Sequence, residues 1–96
     1  MKERYVAYPA ILDDTENEKE FYTVTFPDVP GAISEGRGEA QAIVNGPTTL
    51  GLVLFDEKDL PKATCLEDIQ KENPKNKVVL IAADLKKRQR RLRRFW

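Results

Sequence analysis

The stretch Phe21-Tyr22-Thr23-Val24-Thr25-Phe26-Pro27-Asp28-Val29-Pro30-Gly31-Ala32-Ile33-Ser34 decides how this chain folds. Tyr22, Val24 and Phe26 fall on one face at period two, and Phe21, Thr23 and Thr25 fall on the other. Pro27 and Pro30 have no backbone N–H, so ladder pairing must lapse around them. Gly31 can take backbone angles that its bulky neighbours cannot. The chain is therefore expected to run as a strand over 21–26, turn a corner, and restart as a strand over 31–35. Nothing in the stretch is chemically reactive, so it speaks to fold before function.

Upstream, Tyr5 to Leu12 reads as another strand, with Val6, Tyr8, Ala10 and Leu12 on one face. Pro9 lies inside it and should face no partner on its N–H side. Asp13 to Lys19 is a short charged hairpin loop. Three strands in an antiparallel meander need a covering layer, and Gly36 to Asp59 should supply it. Ala42, Ile43, Gly46, Leu50, Val53 and Leu54 fall on one face of a helix, with Gly38 as a weak N-cap. Pro47 removes a backbone hydrogen bond and clashes with the carbonyl of Ile43, at about 3 kcal/mol in an unbroken helix. A kink or break is expected there. Thr64-Cys65-Leu66-Glu67 fits a capping box for a short helix from Cys65 to Glu72, with Cys65, Leu66 and Ile69 inward. Lys77 to Ala83 reads as a strand buried on both faces or central in its sheet, delivered parallel to a neighbour by a crossover. Residues 86–96 favour a helix with Leu85, Leu92 and Phe95 or Trp96 as apolar points.

Ninety-six residues make one domain with a short appendage, and 41% hydrophobic with 33% charged residues is the composition of a folded chain. Cys65 is the only cysteine, so no internal disulfide can form. No secretory leader pattern follows Met1, and the apolar runs Leu50–Phe55 and Val78–Ala83 are too short to span a bilayer. The expected location is the cytoplasm. The net charge of zero hides an asymmetry. Of sixteen basic residues, seven lie in 86–96 with no acidic residue, leaving nine against sixteen acidic ones in 1–85, a net of −7. An acidic body suits a basic partner, and a basic tail suits nucleic acid or the acidic body itself.

The chemistry of enzymes is thinly represented. There is no histidine, and a lone cysteine without one makes a nucleophilic dyad implausible. Gly36-Arg37-Gly38 lacks the rest of a phosphate loop. Asp13, Asp14, Asp28 and Asp84 could in principle gather around magnesium, but a turn, a corner between prolines and a strand end explain them better, with Asp28 bonding its own backbone. No catalytic residue, cofactor or metal is expected.

Tyr8-Pro9-Ala10, then Tyr22-x-Val24-x-Phe26-Pro27-Asp28-Val29-Pro30-Gly31, then Ser34-Glu35-Gly36, resembles the HicB antitoxin family, over about Tyr5 to Asp84. The resemblance implies a partial RNase H-like fold without nuclease chemistry, of bacterial or phage origin. It implies a protein that neutralises a small RNA-cleaving toxin, HicA, and that commonly forms dimers or higher oligomers. Many members add a C-terminal DNA-binding segment. This chain departs from them with Gly38 where a serine or threonine is usual, and with a tail too short for a helix-turn-helix or ribbon-helix-helix unit.

The expectation is thus an α+β domain over 1–85, a small antiparallel meander plus a fourth strand added by crossover with helices on one face, followed by a basic tail over 86–96. The leading function is non-enzymatic occlusion of a HicA-like toxin. Its candidate contacts are Asp13, Asp14, Glu16 and Glu18 of the acidic loop and Phe26, Asp28 and Pro30 of the corner. The alternative is DNA or RNA binding through Lys86, Lys87, Arg88, Arg90, Arg91, Arg93, Arg94 and Trp96, against the plainer reading of a solvated charged end. A third possibility is a module that only self-associates through an exposed edge strand.

Overall fold

The computed structural model describes residues 5–14 and 20–85. The elements run β1 (Tyr5–Asp13), β2 (Phe21–Thr25), β3 (Ile33–Arg37), α1 (Gly38–Leu54), α2 (Leu66–Glu72) and β4 (Lys77–Asp84). They form one α+β unit with a four-stranded sheet in the order β3-β2-β1-β4, every neighbouring pair antiparallel. The meander is as expected, but β3 starts two residues later than the sequence suggests. The corner turns occupy residues through Gly31, whose φ of +92° is open to glycine and strained for other residues.

The fourth strand departs from expectation. It is outermost rather than central, and it runs antiparallel to β1 from Leu12↔Lys77 to Tyr5↔Asp84. Two helices and their loops can return a chain in either direction, so the crossover alone does not set strand polarity. The register does explain Pro9. The β1–β2 ladder ends at Ile11↔Thr25, and continuing it would set Pro9 opposite Pro27. Pairing lapses where neither residue has an N–H to give.

Tyr8, Ala10, Leu12, Val24, Phe26 and Ile81 form one apolar sheet face. Ala42, Leu50 and Leu54 of α1 pack into the same cluster. Pro9 and Val78, which alternate to the opposite face, are buried too. α1 comes close because Gly36 and Gly46 lack side chains. A Cβ on Gly46 would lie 2.6 Å from Ile81 Cδ1, and one on Gly36 would lie 2.5 Å from the backbone nitrogen of Ala42.

Pro47 does not break this helix, which is continuous from Gly38 to Leu54. The cost of the missing hydrogen bond is local. Buried residues lie on both sides of it, Ala42 and Gly46 before and Leu50 and Leu54 after. Burying a large apolar side chain contributes about 1.5–3 kcal/mol, and the helix keeps buried residues on both sides of Pro47. The N-cap is Arg37 rather than Gly38; Gly38 is the first helical residue, with φ +79°. Lys77 meets Glu39 at 3.0 Å, an exposed ion pair that contributes under about 1 kcal/mol.

α2 differs from the expected capping box. Cys65 caps it with extended backbone and no side-chain bond, and Cys65 is exposed rather than inward. Ile69 is buried as expected, whereas Leu66 is 36% exposed and belongs to the surface. The residues of the proposed tail helix, 86–96, lie outside the described residues.

Candidate partner-binding surface

The corner between β2 and β3 is built from two successive turns. The Val29 N–H donates to the Phe26 carbonyl at 3.0 Å, and the Ala32 N–H donates to the Val29 carbonyl at 3.1 Å. This geometry sends Phe26, Val29 and Ala32 into the core, while Pro27, Pro30 and Gly31 face outward. The corner is thus a small rigid projection, apolar beneath and proline-rich above.

Asp28 holds it in place. Its carboxylate accepts the Thr64 backbone N–H at 2.7 Å and the Thr64 hydroxyl at 2.6 Å. This explains why the capping box is missing: the Thr64 hydroxyl is engaged 36 residues away in sequence. Asp28 does not close a turn on its own backbone, as expected from sequence. It ties the corner to the loop that precedes α2. Next to it, the Tyr8 hydroxyl donates to the Pro61 carbonyl at 2.6 Å. Burial, and then the negative charge of Asp28, push the Tyr8 pKa above its usual 10.0.

Of the candidate contact residues, Asp14 and Pro30 are exposed, and Asp13 and Asp28 are half-buried. Phe26 is 3% exposed and serves the core, so it offers a partner no surface. Glu16 and Glu18 lie outside the described residues, as do Lys86, Lys87, Arg88, Arg90, Arg91, Arg93, Arg94 and Trp96. Asp13 and Asp84 sit at opposite ends of the β1 ladder, beside Thr23 and Tyr5. Eight residues of strand separate their positions by roughly 25 Å at about 3.3 Å per residue, so they cannot share an ion. Among the described residues no three acidic, histidine or cysteine side chains gather in metal-binding fashion, and no helix is long and apolar enough to cross a membrane.

Sequence reasoning missed three amide side chains that close the sheet edges. Gln41 Oε1 accepts the Arg37 N–H at 2.6 Å, and Asn45 Nδ2 donates to the Glu35 carbonyl at 2.8 Å, so α1 covers the outer edge of β3. At the other edge Gln70 Oε1 accepts the Val78 N–H at 3.3 Å, while Gln70 Nε2 donates to the carbonyl of Asn76 at 2.9 Å. The i, i+4 spacing of Gln41 and Asn45 on an otherwise weakly polar helix is the one signal that could have pointed to them.

These features define a small α+β domain with a proline-rich corner tied down by Asp28 and Thr64. The chain belongs to the HicB-like antitoxins of bacterial toxin–antitoxin systems, whose family pattern it matches over residues 8–95. Its fold is similar to one chain of a toxin–antitoxin complex from Streptococcus pneumoniae, with a TM-score of 0.69 at 24% identity, covering 88% of this chain and 72% of that one. No curated protein matches it.

Proposed function

We propose that this protein is a non-enzymatic cytoplasmic antitoxin that binds a small, basic, HicA-like RNA-cleaving toxin and covers its RNA-binding surface. The family match over residues 8–95 carries this reading. The fold shared with a chain of a toxin–antitoxin complex supports it. So does charge: residues 1–85 hold sixteen acidic against nine basic residues, and complementary fields speed association and reject wrong partners. In this reading residues 1–85 are the toxin-binding body and 86–96 a separate basic tail. The acidic loop Asp13–Glu20 and the outward side of the corner, Pro27 and Pro30, are the contact surface.

The test is titration of the toxin's RNA cleavage with the full-length protein and with a variant carrying Asp13, Asp14, Glu16 and Glu18 reversed to lysine. The wild type should suppress cleavage stoichiometrically. The variant should bind more weakly, chiefly through a lower association rate. Equal inhibition by both removes the acidic loop from the interface, and no inhibition by either removes the antitoxin reading.

The seven basic residues of 86–96 favour a second reading, nucleic-acid binding. Its mark is affinity that falls linearly in log salt, with a slope of about −0.9 per phosphate neutralised.

A further inference from the structure

Asn45 and Gly46 are each fixed by packing. Asn45 Nδ2 donates to the Glu35 carbonyl at 2.8 Å, which clips α1 to the outer edge of β3. Gly46 lies where a Cβ would stand 2.6 Å from Ile81 Cδ1, so a side chain there would press on the core. Together they make Asn–Gly, the dipeptide whose side-chain amide is most open to attack by the next backbone nitrogen, because glycine has no Cβ to hinder the approach. Of the four asparagines, only Asn45 precedes glycine. Asn73 precedes Pro74, whose nitrogen carries no proton, and Asn76 precedes Lys77. While α1 is formed the reaction is held off on both sides. The Gly46 N–H is turned toward the carbonyl four residues back, and the Asn45 amide is turned toward β3. Yet the helix around the pair is weak in itself. Pro47 takes away a hydrogen bond directly after it, and Gly46 and Gly51 disfavour helix. The helix rests on its contact with the sheet, and local opening of that contact frees both groups.

We propose that Asn45–Gly46 is a spontaneous deamidation site gated by α1, so that a copy whose α1 opens is marked irreversibly at position 45. In the open chain the Gly46 nitrogen gives its proton to solvent and attacks Asn45 Cγ. A five-membered succinimide ring forms, and Nδ2 takes up a proton and leaves as ammonia. Water then opens the ring at either carbonyl, leaving aspartate or isoaspartate. Neither product restores the clip. A carboxylate accepts hydrogen bonds and cannot donate one, so it would meet the Glu35 carbonyl oxygen to oxygen. Isoaspartate adds a backbone carbon, which breaks the i to i−4 spacing of the helix. A copy that has opened once therefore seats α1 less firmly and opens more readily afterwards. The site limits the working life of the fold, independently of any toxin.

The test is incubation of the full chain in mildly alkaline buffer, read by peptide mass mapping and by enzymatic methylation of isoaspartate. Urea below the unfolding midpoint raises the open population, and the fully unfolded chain sets the upper limit of the rate. Pro47→Ala restores a helical hydrogen bond and closes α1 more tightly, and circular dichroism checks that it folds. Asn45→Asp carries one product directly. The expected result is modification at position 45 in the folded protein, slower than in the unfolded chain and faster as urea rises. Pro47→Ala should slow it at least about tenfold, given the difference in helix propensity between proline and alanine, and amide exchange in α1 should slow in step. Asn45→Asp should exchange its α1 amides faster than the wild type. A folded protein that is never modified at position 45 overturns the proposal. So does a rate equal in the folded and unfolded chain, or one indifferent to both urea and Pro47→Ala. An Asn45→Asp variant whose α1 amides are protected as well as those of the wild type overturns the irreversible loosening.

Discussion

Replacing Gly36 and Gly46 with alanine, one at a time, probes how α1 is seated. Both glycines lie where the helix meets the sheet, but their neighbours differ in kind. A Cβ on Gly36 would sit 2.5 Å from the nitrogen and 2.7 Å from the Cα of Ala42, and 2.8 Å from the carbonyl carbon of Gln41. These are backbone atoms of α1, and ordinary carbon contacts begin at about 3.5 Å, so helix and strand must separate by about 1 Å. That displacement loosens the packing of Ala42 and Leu50 and stretches the Gln41–Arg37 and Asn45–Glu35 hydrogen bonds. Overpacking of this sort costs about 1–3 kcal/mol, and two weakened hydrogen bonds add about 0.5–1.5 kcal/mol each. The expected loss for Gly36→Ala is about 3–4 kcal/mol. A Cβ on Gly46 would instead meet Ile81 Cδ1 at 2.6 Å, Ile81 Cγ2 at 3.0 Å and Phe26 Cζ at 3.4 Å. The ends of side chains can rotate aside, and alanine gains about 1 kcal/mol over glycine within a helix. The expected net loss is about 0–1 kcal/mol. Urea denaturation of the three proteins reads the difference directly, and about 1 kcal/mol corresponds to a melting shift of about 4–8 °C in a domain of this size. Equal losses, or a larger loss at Gly46, would refute the seating of α1 against the β3 backbone.

Two further predictions concern the clamp beneath the corner. Asp28→Ala removes both bonds to Thr64 and should cost about 1–2 kcal/mol, the lower part of the range for charge-assisted bonds because the carboxylate is only half-buried. In a double-mutant cycle with Thr64→Ala the coupling should reach at least about 0.5 kcal/mol, and strict additivity would break the link. Tyr8 makes stability pH-dependent in the alkaline range, because its pKa is raised by burial first and by Asp28 second. Above about pH 10 the unfolded chain gives up this proton while the folded chain keeps it, so the folded state binds more protons and stability falls as pH rises. Tyr8→Phe loses the bond to Pro61, about 0.5–1.5 kcal/mol at neutral pH, but its melting temperature should fall less steeply above pH 10 than that of the wild type. Parallel slopes would exclude Tyr8 as the source.

What could be read from the chain follows from the range of the interaction concerned. The period-two alternation of Tyr8-Pro9-Ala10 and of Tyr22–Phe26, and the lapse at Pro27, are local, and the sheet obeys them. The Ala42–Leu54 stripe identifies the buried side of α1 for the same reason. Pro47 leaves the helix unbroken because its local cost is set against burial on both flanking turns, which only the sheet supplies. Thr64 misleads for a related reason. Its spacing to Glu67 fits a cap, but a carboxylate 36 residues earlier offers the hydroxyl a charged acceptor, and charge-assisted bonds outweigh neutral ones. The polarity of β4 has no local signature at all, since it depends on how two helices and their loops spend their length. Of the candidate contacts at the corner, Pro30 lies exposed and Phe26 lies in the core. The burial of Phe26 follows from alternation too, because it shares a face with Val24.

The corner's construction bears on how this chain, in the proposed antitoxin role, would cover a toxin's surface. A steric inhibitor loses affinity to every degree of freedom it freezes on binding. Here the projection is tied to the body at several points. Its turns are closed by the Val29 and Ala32 N–H groups, its underside is buried through Phe26, Val29 and Ala32, and its flank is held by Asp28 on Thr64. The two prolines add a further constraint. With no N–H to donate, Pro27 and Pro30 cannot be drawn into the sheet as an extra rung, so the corner stays outside it and presents a fixed shape. The same missing donors end the β1–β2 ladder beside Pro9. One feature, the absence of N–H groups at Pro9, Pro27 and Pro30, therefore both limits the sheet and keeps the corner at the surface.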